Sequence, residues 1–102
     1  MGKYRLTRRA EADLVSIGEQ TLASWGIEQC ARYLDALEAC CQNLADTPLL
    51  GHACPDVGAG FRRMEQGKHV LFYKVESDGV LVVRVLHRRM LPRLHLDGSW
   101  EG

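Results

Sequence analysis

The sequence predicts an α+β domain in the order β-α-α-β-β-β, an antiparallel helical hairpin packed on one face of an antiparallel sheet. Three observations carry that reading. Apolar residues recur at helical spacing through two successive stretches, with Gly26 between them and Thr47-Pro48 after the second. Two alternating apolar runs, 68–76 and 80–88, flank Ser77-Asp78-Gly79, and Asp-Gly between such runs is a strong hairpin signal. The chain has 102 residues, which suits one domain burying roughly two thirds of its unfolded surface. Residues 1–102 are therefore read as a single unit, with a core over about 3–90 and a tail over 91–102.

Residues 3–7 read as a first strand, Tyr4 and Leu6 alternating with Lys3 and Arg5. Thr7 suits the N-cap of a helix beginning at Arg8, with Glu11 and Asp13 near the positive end of its dipole. Ala10, Leu14, Ile17, Thr21 and Trp25 make one stripe of that helix, broadened by Val15 and Leu22. Gly18 costs about 1 kcal/mol against alanine there and suits close approach of a neighbouring helix. Gly26 is where a left-handed cap is expected. The second helix starts at about Ile27 and turns Ile27, Cys30, Ala31, Leu34, Leu37, Cys41, Leu44 and Ala45 inward. Glu28, Arg32, Asp35, Glu38 and Gln42 face out, Glu28 and Arg32 as a favourable i,i+4 pair. So short a link folds the two helices back on each other. Residues 48–60 are broken by Gly51, Pro55, Gly58 and Gly60. A strand over 61–66 then reverses at Gly67 into the hairpin, and the first strand is left to pair at an edge beside the last. Pro92 ends the sheet.

With a two-residue loop at Asp78-Gly79, Val75 lies opposite Val82, Tyr73 opposite Arg84 and Phe72 opposite Val85. Alternation then gives one face Val70, Phe72, Leu81, Val83 and Val85. The other takes Leu71, Tyr73, Val75, Val82 and Leu86, with Arg84 among them. Both faces are apolar and call for cover, yet the rest of the chain is barely enough for one. The face around Arg84 is thus expected to stay open for a partner.

The apolar fraction, 46%, is that of a globular domain. No apolar run approaches the ~20 residues that span a bilayer. The N-terminal MGKYRLTRRAEADL has no signal-peptide core, and Leu6 stands where N-myristoylation requires Ser or Thr. A cytoplasmic protein is expected. Formal net charge is +0, but residues 1–58 hold five Lys/Arg against eight Asp/Glu, and residues 59–102 eight against five. This balance of −3 and +3 argues against a general nucleic-acid binder. It leaves Arg84, Arg88, Arg89 and Arg93 as either a partner-facing patch or a solvated surface.

Catalytic signals are sparse. Cys30, Cys40, Cys41 and Cys54 form no CxxC pair and read as small buried hydrophobes. With His52, His69, His87 and His95 they make no zinc spacing, so neither metal nor cofactor is expected. No GxSxG surrounds Ser16, Ser24 or Ser77, and no GxGxxG or Walker loop occurs. For RNA cleavage, Arg62 or Arg63, Arg84 and Arg88 would stabilise a phosphorane, with His87 as acid or base. Strand alternation turns His87 away from Arg84 and Arg88; a half-buried histidine bonding backbone is the plainer reading. No catalytic residue is assigned.

Seven motifs in order carry a resemblance. They are Leu6-Thr7-x-x-Ala10-x-x-Asp13-Leu14-x-x-Ile17, Trp25-Gly26, Tyr33-x-x-x-Leu37 and Pro48-x-x-Gly51. Gly60-Phe61-Arg62-Arg63, His69-Val70-Leu71-Phe72-Tyr73-Lys74-Val75 and Arg84-Val85-Leu86-His87-Arg88-Arg89 complete them. Together, over roughly residues 4–90, they closely resemble the ParE toxins of the RelE/ParE superfamily. The resemblance implies the RelE/ParE-like fold and the toxin of a type II toxin–antitoxin pair. Such a toxin inhibits DNA gyrase by binding, blocks replication, and is neutralised by a ParD-like antitoxin. That antitoxin joins a ribbon-helix-helix DNA-binding domain to a segment wrapping the toxin, so the toxin meets DNA only through it. The RelE branch instead cleaves ribosome-bound mRNA, typically with a tyrosine near the C-terminus. Here the tyrosines are Tyr4, Tyr33 and Tyr73, none after the last strand, which disfavours that alternative. A homologue that only binds its antitoxin and represses their promoter is the third reading.

On these grounds the core is expected from Leu14, Ile17, Trp25, Leu34, Leu37, Phe72 and Val85. The antitoxin is expected at Arg8, Arg9, Arg32 and Tyr33 and on the sheet face of Leu71, Tyr73, Val82, Arg84 and Leu86. Gyrase is expected on the basic stretch of Arg88, Arg89 and Arg93.

Overall fold

Thr7 joins the two halves of the molecule. Its hydroxyl accepts from the Ala10 N–H (3.0 Å) and donates to the Val83 carbonyl (2.7 Å). One side chain thus caps α1 (Arg8–Trp25) and ties it to the last strand. The structure, a computed structural model, describes residues 2–91, so the sheet end expected at Pro92 and the gyrase contact expected at Arg93 lie outside the described residues. β1 (Lys3–Leu6) precedes α1, and α2 (Ile27–Asp46) comes after it. The strands β2 (His52–Ala53), β3 (Arg62–Gln66), β4 (His69–Glu76) and β5 (Gly79–His87) come next, then a 3₁₀ turn, Arg88–Met90.

The sheet order is β1-β5-β4-β3-β2. β3, β4 and β5 pair antiparallel in sequence, as expected, and β1 lies at an edge beside β5. It runs parallel to β5, so the sheet is mixed and not purely antiparallel. A Cβ at Gly79 would stand 1.7 Å from the Lys3 carbonyl oxygen; only glycine lets β1 come this close. β2, two residues long, lies in the stretch expected to be irregular.

The central hairpin turns earlier than expected. Glu76 pairs with Gly79, so the loop is Ser77-Asp78, and Gly79 opens β5. Val75 therefore faces Val80 and Tyr73 faces Val82; a bulge then leaves Phe72 opposite Arg84 and Leu71 opposite Val85. One extra residue reverses the parity of the strand beyond it. Val85 accordingly joins Leu71, Tyr73, Val80 and Val82 beneath the helices, while Leu86 joins Val70, Phe72 and Val83 on the far face.

Neither face is open. Leu71, Tyr73 and Val82 are fully buried against Ala10, Ile17, Leu37, Cys41 and Leu44, and Leu86 is 2% exposed beside Cys54 and Phe61. The expected open sheet face is thus core on both sides: helices cover one, and Cys54, Val57, Phe61 and Leu91 pack on the other. Arg84 is not set among apolar side chains. Its Nε and Nη2 donate to Asp13 of α1 (2.8 and 3.0 Å), and Asp13 also accepts from the Val85 N–H (3.0 Å). Asp13 so caps β5 just where β1 has ended.

Trp25 is 68% and Ile27 75% exposed, against the expectation that both are inward. The helical stripes continue geometrically, but the helices outrun the sheet, and every residue from 22 to 29 is exposed. Gly26 takes φ 85 with ψ 175, a conformation reserved for glycine but not the left-handed helical one expected. Gly18 does bring the helices together: a Cβ there would lie 3.4 Å from Leu34 Cδ1.

The Pro48–Gly51 motif is a loop held on the sheet. The Tyr73 hydroxyl donates to the Pro48 carbonyl (2.7 Å) and accepts from the Gly51 N–H (3.0 Å). A Cβ at Gly51 would stand 2.6 Å from that hydroxyl. Arg62 donates to the Leu49 and Gly51 carbonyls from the other side. Tyr73 and Arg62 are both structural clamps.

Candidate functional site: two clefts beside the helical hairpin

On one side of the hairpin, β1 provides a floor of Tyr4 and Leu6. Leu14, Val15, Gly18 and Leu22 of α1 form one wall, and Cys30, Leu34 and Cys41 of α2 the other. The resulting groove measures about 660 Å³ and is apolar except at its rim, where Glu19 and Glu38 stand. Val15 (63%) and Leu22 (49%) are exposed large apolar residues with no core beneath them. Burial raises the Tyr4 phenol above its ordinary value, with Glu38 and Cys41 adding. Burial likewise pushes the Cys41 thiol up to about 12, so this sulfur is a packing group and not a nucleophile. All four cysteines are free; Cys40, Cys41 and Cys54 are buried as expected, and Cys30 is half-buried.

On the other side, the turn between β3 and β4 rises against α2. A second cleft, about 460 Å³, lies among Thr21, Trp25, Gln29, Tyr33, Gly67, Lys68 and His69. Tyr33 organises it. Its hydroxyl accepts from the Lys68 N–H (3.0 Å), and lies 3.2 Å from the Gln66 carbonyl and 2.5 Å from His69 Nδ1. Gly67 turns at φ 59, and a Cβ there would sit 2.7 Å from the Tyr33 ring. The motif tyrosine is therefore a clamp on this turn. His69 packs edge-on to His87, ring centroids 5.3 Å apart. Burial holds the His69 imidazole below its ordinary value, and His87 and Lys68 lower it further against the opposing pull of Asp13. Neutral His69 then accepts the Tyr33 proton at Nδ1. His87 is half-buried, and its Nδ1 accepts from the Arg89 N–H (3.1 Å), capping the turn after β5. The Lys68 ammonium lies 5.9 Å from the Trp25 ring centroid, and the Arg88 N–H donates to the Lys68 carbonyl (3.0 Å).

The residues singled out from sequence are thus dispersed. Arg8, Arg9 and Arg32 are on exposed helical positions and Tyr33 in the second cleft. Leu71, Tyr73, Val82 and Leu86 are core, and Arg84 is bound to Asp13. Arg88 and Arg89 are exposed on the turn after β5. None of the expected antitoxin residues lines the apolar groove. Its one legible signal is the excess breadth of the α1 stripe at Val15 and Leu22.

Known proteins share this architecture. The family described as ParE toxin of type II toxin-antitoxin system, parDE, matches residues 4–92. Toxin ParE1 of Caulobacter vibrioides is 43% identical over 96 residues, 94% of this chain and 99% of that protein. Toxin ParE1 of Mycobacterium tuberculosis is 39% identical over 89 residues, 86% of this chain and 91% of that one. A chain from the chromosomal ParDE TA system of P. aeruginosa superposes with TM-score 0.71 at 20% identity, covering 85% of this chain and 96% of that one. A chain of the toxin–antitoxin complex RelBE2 from Mycobacterium tuberculosis gives 0.62 at 24% identity, covering 85% and 98%; both share the RelE/ParE fold. By the match that runs from the first strand through the turn after the last, and by identity with full-length relatives, the chain belongs to the ParE toxin family of type II toxin–antitoxin systems.

Proposed function

We propose that this toxin inhibits DNA gyrase in the bacterial cytoplasm by binding, not by chemistry of its own, and that a ParD-like antitoxin neutralises it. The observation that carries the antitoxin half is the groove between α1 and α2 over β1. An amphipathic segment with an apolar face and basic flanks fits it, the flanks meeting Glu19 and Glu38. Arg8, Arg9 and Arg32, exposed on the helices, remain candidates for the periphery of that contact. Action by binding is supported by how the cations are used. Arg84, wanted for a phosphorane in a ribonuclease, is paired with Asp13, and Arg62 holds the loop at Leu49 and Gly51. Arg88 and Arg89 remain on the surface for a target.

A supercoiling assay tests the function. Purified toxin is expected to stop gyrase from supercoiling relaxed plasmid, and equimolar antitoxin to restore it. Normal supercoiling at large toxin excess sinks the gyrase reading. Codon-positioned mRNA cuts on translating ribosomes, abolished in an Arg84→Ala variant that still folds, would favour the ribonuclease.

A further inference from the structure

The cleft on the second side of the helical hairpin is unlike the antitoxin groove in charge, and it is built as a separate surface. Trp25 and Ile27 project from the exposed end of the helices, at 68% and 75% exposure, although tryptophan and isoleucine are ordinarily shielded. A cation stands at the tryptophan: the Lys68 ammonium lies 5.9 Å from the Trp25 ring centroid, and Arg88, joined to Lys68 through the backbone, lies close enough to act on the Tyr33 phenol. The ion pairs among the described residues, Arg84 with Asp13 and Arg5 with Glu76, include neither Lys68 nor Arg88. The base is rigid, because the Tyr33 hydroxyl fixes the Lys68 N–H and His69 together. An exposed aromatic anchor beside cations that no described carboxylate pairs, on a fixed base, is what an acidic peptide with one apolar anchor recognises.

We propose that this cleft is the docking site for an acidic segment of the toxin's protein target, with one large apolar side chain seated against Trp25 and carboxylates at Lys68 and Arg88. The proposal rests on the reading of the chain as a toxin that acts by binding, and it names the surface and the chemistry it recognises. The antitoxin groove and the target cleft then lie on opposite sides of α1 and α2, and each can be disabled alone.

Two measurements test it. The first needs no knowledge of the target. The chain has two tryptophans, and in a Trp100→Phe background only Trp25 is left. A short peptide of aspartates and glutamates around one central phenylalanine is titrated while Trp25 fluorescence is monitored. Saturable change is expected, weakened about tenfold by Lys68→Glu and absent with the lysine-substituted peptide. An equal response to both peptides, or no saturable response, overturns the proposal. The second reads growth after induction without antitoxin, and antitoxin co-purification, for Trp25→Ala and Lys68→Glu. Toxicity is expected to fall at least about tenfold while co-purification stays intact. Unchanged toxicity, or parallel loss of both properties in variants with the parent's circular dichroism, overturns it. A parent toxin that arrests growth yet leaves supercoiling untouched removes gyrase as the target and leaves the cleft to be judged on these same outcomes.

Discussion

The two flanks of the helical hairpin are made from the same helices and differ in almost every other respect. One is an apolar trough floored by an edge strand and rimmed by Glu19 and Glu38. The other is a smaller cleft closed by the β3–β4 turn, with Trp25, Lys68 and a half-buried tyrosine–histidine contact. On the proposed reading the toxin meets two proteins with opposite consequences, and two surfaces of opposite charge would keep one binder from imitating the other. Both flanks hang on α1, and α1 is fixed to the sheet through Thr7 and Asp13. The largest expected effect is therefore loss of both at once. Asp13→Ala takes the carboxylate away from the largely buried Arg84 guanidinium and from the Val85 N–H, and is expected to cost roughly 3 kcal/mol in urea unfolding. Antitoxin binding and toxicity should fall together. A stable, toxic Asp13→Ala protein would mean that α1 is held by packing alone.

The next effect separates the flanks. Val15→Asp with Leu22→Asp places two carboxylates in the trough beside Glu19, at positions whose exposure spares the core. Antitoxin affinity, measured by calorimetry, is expected to drop about a hundredfold, close to 3 kcal/mol. Inhibition of growth should persist and escape antitoxin control. If antitoxin binds the double variant as before, the trough is not its seat.

The contrast between flanks also shows where sequence reading reaches its limit. Helix spans, the Thr7 cap, the order of β3, β4 and β5 and the buried cysteines come from periodicity and caps, which are local. The hairpin register does not. Turn chemistry points to Asp78-Gly79 as the loop, but Gly79 is needed as a strand residue, because Lys3 of β1 lies against it. That demand comes from a residue 76 positions away in sequence. The bulge at Val83 is equally non-local, and it exchanges Val85 and Leu86 between faces. Strand alternation assigns Arg84 to a docking face because its partner, Asp13, belongs to another element. Helical spacing assigns Trp25 to the core because a stripe says which side a residue is on, but not whether anything lies beneath it. The motifs themselves are legible, and their reasons are not: Tyr33 clamps a turn, and Pro48 and Gly51 are the two ends of a loop held by Tyr73.

A smaller effect is confined to the second flank. Tyr33→Phe removes the acceptor of the Lys68 N–H and the donor to His69, while the ring still packs over Gly67. A loss of about 1 kcal/mol is expected, near 5 °C in melting temperature for a domain of this size. Hydrogen exchange should quicken at Gly67, Lys68 and His69 and stay unchanged along β1. Exchange that quickens equally at both flanks would mean that the hairpin moves as one body, and the independence of the two surfaces would fail with it.

The smallest effect is the response of the second flank to acid, where the trough has no counterpart histidine. Burial and His87 keep the folded His69 imidazole below the ordinary value of about 6.5. The unfolded chain therefore takes up a proton first as pH falls, and protonation favours unfolding. This contribution is fully favourable above about pH 6.5, begins to be lost as pH drops through that value, and is gone below the folded pKa. The proton need not destroy the contact. Charged His69 can donate from Nδ1 to the Tyr33 oxygen, and the hydroxyl hydrogen then turns to the Gln66 carbonyl 3.2 Å away. The cost comes first from burying the charge and then from His87 and Lys68, against the opposing pull of Asp13. A two-dimensional imidazole NMR titration should place the His69 midpoint below that of an unfolded reference, and Lys68→Glu should move it up. A midpoint at or above the reference would mean that the second cleft is wetter and less cationic than its geometry implies, and would remove the electrostatic difference between the two flanks.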